Sequence, residues 1–401
     1  MNFKKLGFMP ADILLPQNSE FESWSVVACD QYTSEKEYWE EVEKLTENKT
    51  STINLVFPEI YLNGDKKSRV ESINRTMQEY VDGNVFKTLE NSFVYVEREL
   101  ASGKIRKGLV GMIDLEMYDY SENAVAAIRA TEKTVLDRIP PRVEIRKGAV
   151  LELPHVMLLM NDETDGVIKA AEASKGEKLY DFDLMMKGGR IKGYRVSPNK
   201  EIYDAVAKLW EKGENAVYVV GDGNHSLATA KECWNMVKTS IAESERENHP
   251  ARYALVELNN VHSDAIEFEP IHRVVFNCDS NDLLDKLTSL KGENEHSVVY
   301  VADGDAKTVK FNSPYSLTVA ALQDFLDEYV KANNLEIDYI HGEDSTCKVA
   351  ASGKNAGFIL PDVDKSGLFS GVAKDGSLPR KTFSIGHAFE KRYYLEARKI
   401  K

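Results

Sequence analysis

Long apolar runs are missing from this chain. No stretch of about 18 apolar residues occurs, so no membrane span is expected. The start, Met1-Asn2-Phe3-Lys4-Lys5, lacks the apolar core of a signal peptide. Cysteine is sparse: Cys29, Cys233, Cys278 and Cys347 are scattered and form no C-x-x-C pair, which argues against structural zinc and a disulfide scaffold. The histidines are dispersed, with neither H-x-x-x-H nor H-E-x-x-H, so a metallohydrolase centre is disfavoured and no protein-held metal site is expected. Excess positive charge is absent too. The formal net charge is −14, and no helix-turn-helix with a basic recognition helix is evident, so the molecule as a whole repels nucleic acid and anionic membrane. The expectation is a soluble cytoplasmic protein whose partner is a small-molecule substrate, with its oligomeric state left open.

At 401 residues the chain can bury a large core. Helical spacing is visible over 34–46, 68–80, 199–212 and 279–290, and again at Ala321, Leu322, Phe325, Leu326 and Tyr329. Residues 92–98 and 107–117 read as a hairpin around Ala101-Ser102-Gly103-Lys104, and Lys187-Gly188-Gly189-Arg190 joins two more short strands. Thr131 to Leu136 reads as the opening of a helix that Pro140-Pro141 ends. Leu153 to Met160 is a buried strand, and Phe358-Ile359-Leu360-Pro361 is expected to rejoin the main sheet. Hairpins mixed with crossovers predict an α+β fold with a mixed sheet. The expected organisation is a main α+β domain over 1–278, a smaller inserted α+β segment over 279–350, and a C-terminal return to the main domain over 351–401.

The most informative stretch is Val219-Val220-Gly221-Asp222-Gly223-Asn224-His225-Ser226. A β-branched run ends in two glycines that flank an acid, and a helical pattern follows at once. A strand, a glycine turn and a helix start bring free backbone N–H groups and the positive end of a helix dipole to one spot, which suits phosphate. The bland reading is an ordinary strand-to-helix turn with Ser226 as N-cap. The turn has neither the G-x-x-x-x-G-K-[ST] nor the G-x-G-x-x-G spacing, and it is not G-x-S-x-G. Asp222 serves either as a base or water-mediated metal holder, or as an acceptor that shapes the loop. His225 either donates to a phosphate or caps the helix. Asp30 follows the apolar run Val26-Val27-Ala28-Cys29 and is either a site acid or a turn cap. Arg129, Thr131, Glu132, Lys133 and Thr134, on a helix start, either grip a phosphate or carboxylate or form a solvated face. His155, inside an apolar strand, reads as a core or edge residue.

Four stretches together are similar to the domain-of-unknown-function family 1015: Trp24 to Tyr32; Arg129 to Thr134 with Asp137-Arg138; the Gly221 turn; and Glu269-Pro270-Ile271-His272-Arg273 with Leu378 to Ser384. The turn itself resembles the phosphate-binding turn of the ParB-like and sulfiredoxin-like superfamily, which implies a mixed-sheet core of that type. In the turn, Asn224 and Ser226 stand where a histidine and an arginine are more common. That removes a bidentate phosphate partner, which Arg252, Arg273 or Arg129 would have to replace, with Arg273 the first candidate. The free-serine kinases of that superfamily resemble this chain in the turn. The resemblance therefore implies nucleotide-dependent phosphorylation of a hydroxyl acceptor such as free serine, using ATP or ADP and Mg²⁺. In that reading Asp222, His225 and Asp30 are catalytic. Gly221, Gly223, Asn224, Ser226, Arg273 and Lys381 bind the nucleotide, and Arg129, Thr131 and Lys133 bind the acceptor. Sulfiredoxin chemistry is disfavoured because no cysteine lies between Gly221 and Ala230. The alternative is a nucleotide-binding switch or adaptor without turnover.

Overall fold

The computed structural model describes residues 1–17, 19–33, 35–62, 64–212, 216–363 and 365–401, with the side chain of Ser366 also set aside. Ser34, the first residue of the helix expected over 34–46, lies outside them. Among the described residues the protein is α+β, with two large sheets and a two-stranded one. The larger runs, in spatial order, through Tyr118–Asp119, Ile128–Ala130, Tyr218–Asp222, Met157–Met160, Tyr253–Asn260, Ile105–Asp114, Phe86–Glu99, Arg190–Val196 and Lys178–Asp183, with Phe8–Met9 and Ala11–Pro16 paired alongside. Tyr218–Asp222 is parallel to Ile128–Ala130 and antiparallel to Met157–Met160, which is itself parallel to Tyr253–Asn260. The second sheet runs Asp305–Ser313, Asn294–Ala302, Ala356–Ile359, Phe268–Phe276 and Glu336–His341, with Phe383–Ile385 paired to the start of Phe268–Phe276.

The expected hairpin pairs Val94 with Val110 and Glu99 with Ile105 across the Gly103 turn. The helix expected over 199–212 spans Lys200–Glu211, and the Asn199 side chain accepts the Ile202 amide at 2.9 Å. Its apolar positions Ile202, Val206 and Leu209 are buried, as their helical spacing requires.

Two expectations fail locally. Residues 131–135 are not helical, and Pro140-Pro141 opens the helix Ile139–Arg146 instead of ending one. Proline suits a first helical turn because the N–H it lacks would have no intrahelical partner there. The strand at 356–359 pairs with Phe268–Phe276 and Asn294–Ala302, so it completes the second sheet and does not rejoin the main one. The chain returns to the larger body further on, where Arg398–Lys399 pairs with Leu151–Glu152 and Tyr393 bridges Val27. Among the described residues no helix is long and apolar enough to cross a membrane.

Candidate functional site

One residue, Gly223, joins the strand Tyr218–Asp222 to the helix Asn224–Lys238. It takes φ +86°, and a Cβ there would lie 3.0 Å from the Val156 Cα. Both facts require glycine. A Cβ at Gly221 would press within 2.8 Å of the Leu159 Cγ. The helix starts at Asn224 with no side-chain cap, so Ser226 lies inside its first turn. The first-turn amides have no intrahelical acceptor, and the positive end of the dipole stays uncovered by any side-chain cap.

This turn opens onto a cleft of about 420 Å³ between the two sheets. Gly221, Asp222, Gly223, Asn224, His225 and Asp30 line it together with Tyr339, His341, Arg380 and Lys381 and with Thr131, Glu132, Lys133, Arg138 and Lys391. Five of these residues are cations, Lys133, Arg138, Arg380, Lys381 and Lys391, in a chain of net charge −14. Lys391 Nζ lies 3.4 Å from Asp222 Oδ2. Glu132 accepts the amides of Lys381 and Thr382 at 3.1 and 3.0 Å, which fixes the segment that carries Arg380 and Lys381. Burial raises the Glu132 carboxyl, and those amides hold it down in part. The Asn224 Oδ1 is buried and has no hydrogen-bond partner in the structure, a polar atom at the helix start left to be satisfied.

His225 accepts the Val135 amide on Nε2 at 3.2 Å, so its proton sits on Nδ1. Burial, reinforced by Arg142 and Arg138, pushes its pKa down to about 4, so it is a neutral imidazole at pH 7. Asp30 Oδ1 accepts from Gln31 at 3.1 Å, and its Oδ2 lies 3.6 Å from His155 Nε2. Burial opposes ionisation of Asp30, but His155, Gln31 and Lys391 outweigh it and hold the carboxyl well below the usual carboxylate range. Burial likewise opposes charge on His155, yet Asp30, Asp222 and Glu59 raise it. The other ring nitrogen, Nδ1, lies 3.0 Å from the Tyr394 hydroxyl, which also donates to Cys29 Sγ at 3.0 Å. The Cys29 thiol is pushed up to about 12 by burial and by Asp30, so it stays protonated.

A second cavity, of about 150 Å³, adjoins the cleft and shares Asp30 and His225 with it. Ser226 lines this second space and not the cleft.

The structure thus brings Asp30, Asp222, His225, Gly221, Gly223, Asn224, Thr131, Lys133 and Lys381 to one cleft. It does not bring the expected arginines there. Arg129 is buried on the strand Ile128–Ala130 and donates to the carbonyls of Ala126 (2.8 Å) and Val372 (3.4 Å). Arg273 is fully buried in the second sheet; it donates to Gln323 Oε1 at 3.0 Å and to the Ile271 carbonyl, and its guanidinium stacks 5.2 Å from the Tyr339 ring centroid. Arg252 is held by Asp114 at 2.6 Å. The cleft's charge comes instead from Arg138, Arg380 and Lys391. Arg138 and Arg380 lie inside stretches that carried the family resemblance, while nothing local marks Lys391. His155 was read as a core residue; it is buried, and it is also the partner of Asp30. Among the described residues, no group of three or more His, Cys, Asp or Glu side chains is placed to hold a metal ion.

No curated protein matches the chain. Among solved structures it is similar to a mutant of a free serine kinase in complex with ADP, with a TM-score of 0.39 and 12% identity, covering 74% of this chain and 93% of that one. It is similar to a conserved hypothetical protein from Pyrococcus furiosus (TM-score 0.36, 12% identity, 72% and 94% covered) and to SbnI with a C-terminal truncation from Staphylococcus aureus (TM-score 0.36, 8% identity, 69% and 82% covered). Likenesses this distant bear on neither substrate nor mechanism. The family model of proteins of unknown function called DUF1015 matches residues 9–329, and the chain belongs to that family.

Proposed function

We propose that the protein is a nucleotide-dependent small-molecule kinase that uses ATP or ADP to phosphorylate a hydroxyl acceptor such as free serine. The observation that carries this reading is the Gly223 turn, open at a helix N-terminus onto a cleft with five cations in a chain of net charge −14. The resemblance of the turn to that of the ParB-like and sulfiredoxin-like superfamily points the same way. Phosphoryl transfer is largely a matter of positioning and charge neutralisation, and the cleft offers both.

In this reading the tight positive-φ turn that glycine permits at 223, packed against Val156, presents the first-turn amides to phosphate. Arg380, Lys381 and Lys133 supply the charge that the turn's missing arginine would have given. The acceptor's oxygen bonds to the terminal phosphorus, and the bond from that phosphorus to its bridging oxygen breaks with the electron pair leaving on the nucleotide. The hydroxyl proton passes to the Asp30 carboxylate, which His155 keeps ionised and oriented. Asp30 serves as the base, and Asp222 is the cleft carboxylate that would hold Mg²⁺, an ion that usually takes one or two carboxylates with substrate phosphates. Bound there, Mg²⁺ would neutralise phosphate charge.

The test is a thermal-shift panel with ATP, ADP and CTP plus Mg²⁺, followed by phosphorus NMR with serine and other hydroxyl compounds. Stabilisation by ATP or ADP and a new phosphomonoester resonance are expected. Stabilisation with no phosphoester under any acceptor would leave the nucleotide-binding switch in its place.

A further inference from the structure

We propose that the second cavity, which shares Asp30 and His225 with the cleft, seats the phosphoryl acceptor, and that it takes a neutral molecule with an apolar body and a terminal hydroxyl in preference to a free amino acid. The hydroxyl's role rests on the kinase reading above, of which the proposal keeps the hydroxyl acceptor and replaces free serine; the cavity's selectivity does not rest on it.

Three observations carry this. The first is connection: Asp30 and His225 line both the cationic cleft and the cavity, so a molecule in the cavity meets a phosphate in the cleft at Asp30. The second is the wall. Phe57, Ile73, Met77, Leu151 and Leu153 line the cavity and are buried members of the main core, so the space penetrates the apolar interior. A space of about 150 Å³ suits a small molecule, the size at which an engineered apolar cavity takes up benzene.

The third is charge. Every ionised group on the wall already faces an opposite one. Arg142 pairs with Glu59, Arg146 with Glu152 at 2.6 Å, and His155 with Asp30 at 3.6 Å. No cation is left over for a carboxylate, and no carboxylate for an ammonium group. A free amino acid would have to break one of these pairs and leave a partly buried charge unmatched, which is unfavourable. An apolar chain displaces water from apolar wall instead, and its hydroxyl finds the Asp30 carboxylate at the junction. The cleft takes the anion and the cavity takes the neutral partner.

The probes are straight-chain primary alcohols from ethanol to 1-hexanol, titrated into the whole protein by NMR or calorimetry, with L-serine as competitor. Affinity should rise about fourfold per added methylene, the factor expected for burying one CH₂. L-Serine should not displace 1-hexanol. Ala149→Leu, at a buried wall position, should weaken 1-hexanol at least tenfold. If that variant does not fold, Met77→Ala replaces it, and the chain length at which affinity levels off should increase. Affinity flat with chain length, displacement of 1-hexanol by L-serine, or indifference to these substitutions would overturn the proposal. ADP is titrated in the same samples. If ADP fails to bind while the alcohol series behaves as expected, the kinase reading falls and the cavity's selectivity stands.

Discussion

Gly223→Ala tests the turn most directly, because two separate effects add at that position. An L-residue at φ +86° carries a conformational cost of roughly 1–2 kcal/mol. The new Cβ would also sit 3.0 Å from the Val156 Cα and 3.2 Å from its Cγ2. The Cα is backbone and cannot rotate away, so a packing cost of about 1–3 kcal/mol follows. Gly103 is the control. It takes φ +77° in the hairpin turn of the same sheet, and a Cβ there meets nothing within 4 Å. Gly103→Ala should therefore show the conformational cost alone, and Gly223→Ala should exceed it by the packing term. At roughly 2–4 °C per kcal/mol for chains of 150–250 residues, and about 1 °C per kcal/mol for one of 401, the two melting temperatures should differ by roughly 1–4 °C. The second readout is ligand response. ADP should stabilise Gly103→Ala as it does the parent, whereas Gly223→Ala should lose most of that stabilisation, because relieving the contact with Val156 shifts the turn that presents the first-turn amides. Equal melting losses would mean that Val156 yields freely and the close approach is not a constraint. Equal ADP responses would place the phosphate elsewhere.

Asp222→Asn should lower turnover by about 10²–10⁴-fold with nucleotide affinity little changed, as for a group that acts mainly in the transition state; steady-state kinetics showing less than about a threefold fall would reduce Asp222 to shaping the loop. Arg129→Ala should lower stability, by roughly 1–3 kcal/mol for each buried acceptor left unpaired, without a selective rise in the acceptor's KM. A KM more than tenfold higher at unchanged melting temperature would place Arg129 in the site after all. His225 should stay neutral with its proton on Nδ1 down to about pH 5, since its folded pKa is near 4; a nitrogen-15 spectrum with Nε2 protonated at pH 7 would contradict this. By linkage, the contribution of neutral His225 is present above its unfolded pKa near 6.5 and is lost as pH falls toward 4. His155 is raised, so its contribution is full below about 6.5 and is lost as pH climbs through its folded value. His155→Gln should remove that alkaline loss from the melting profile, and an unaltered profile would mean that the imidazolium does not stabilise the fold through Asp30.

Elements whose cause is local were legible in the sequence. The hairpin around Gly103, the helix capped by Asn199 and the one-residue turn at Gly223 follow from alternation, capping and glycine chemistry within a few neighbours. Pro140-Pro141 was read with the wrong sign because proline marks a helix boundary of either kind, and only the fold decides which side is helical. The strand at 356–359 carries no local mark of which sheet it joins, since an apolar run is equally at home in either.

The site charges expose the same limit more sharply. On a helix, Arg129 and Lys133 would stand at i and i+4 on one face, and their density would make a grip. The chain is not helical there; in an extended chain, four residues span about 13 Å, and these two side chains have different fates. Arg129 turns inward to backbone carbonyls, while Lys133 reaches the cleft. An acidic protein that is to hold an anion must gather cations from distant segments, because a local run of charge is generally a solvated face. Lys133 and Arg138 come from one such segment, Arg380 and Lys381 from a second and Lys391 from beyond it, and Glu132 ties the first to the second through the amides of Lys381 and Thr382. That tie gives a carboxylate with a raised pKa a reason to stand in a cationic cleft. By accepting backbone N–H groups it holds the second cationic segment against the first, and it does so without neutralising any of the five side chains.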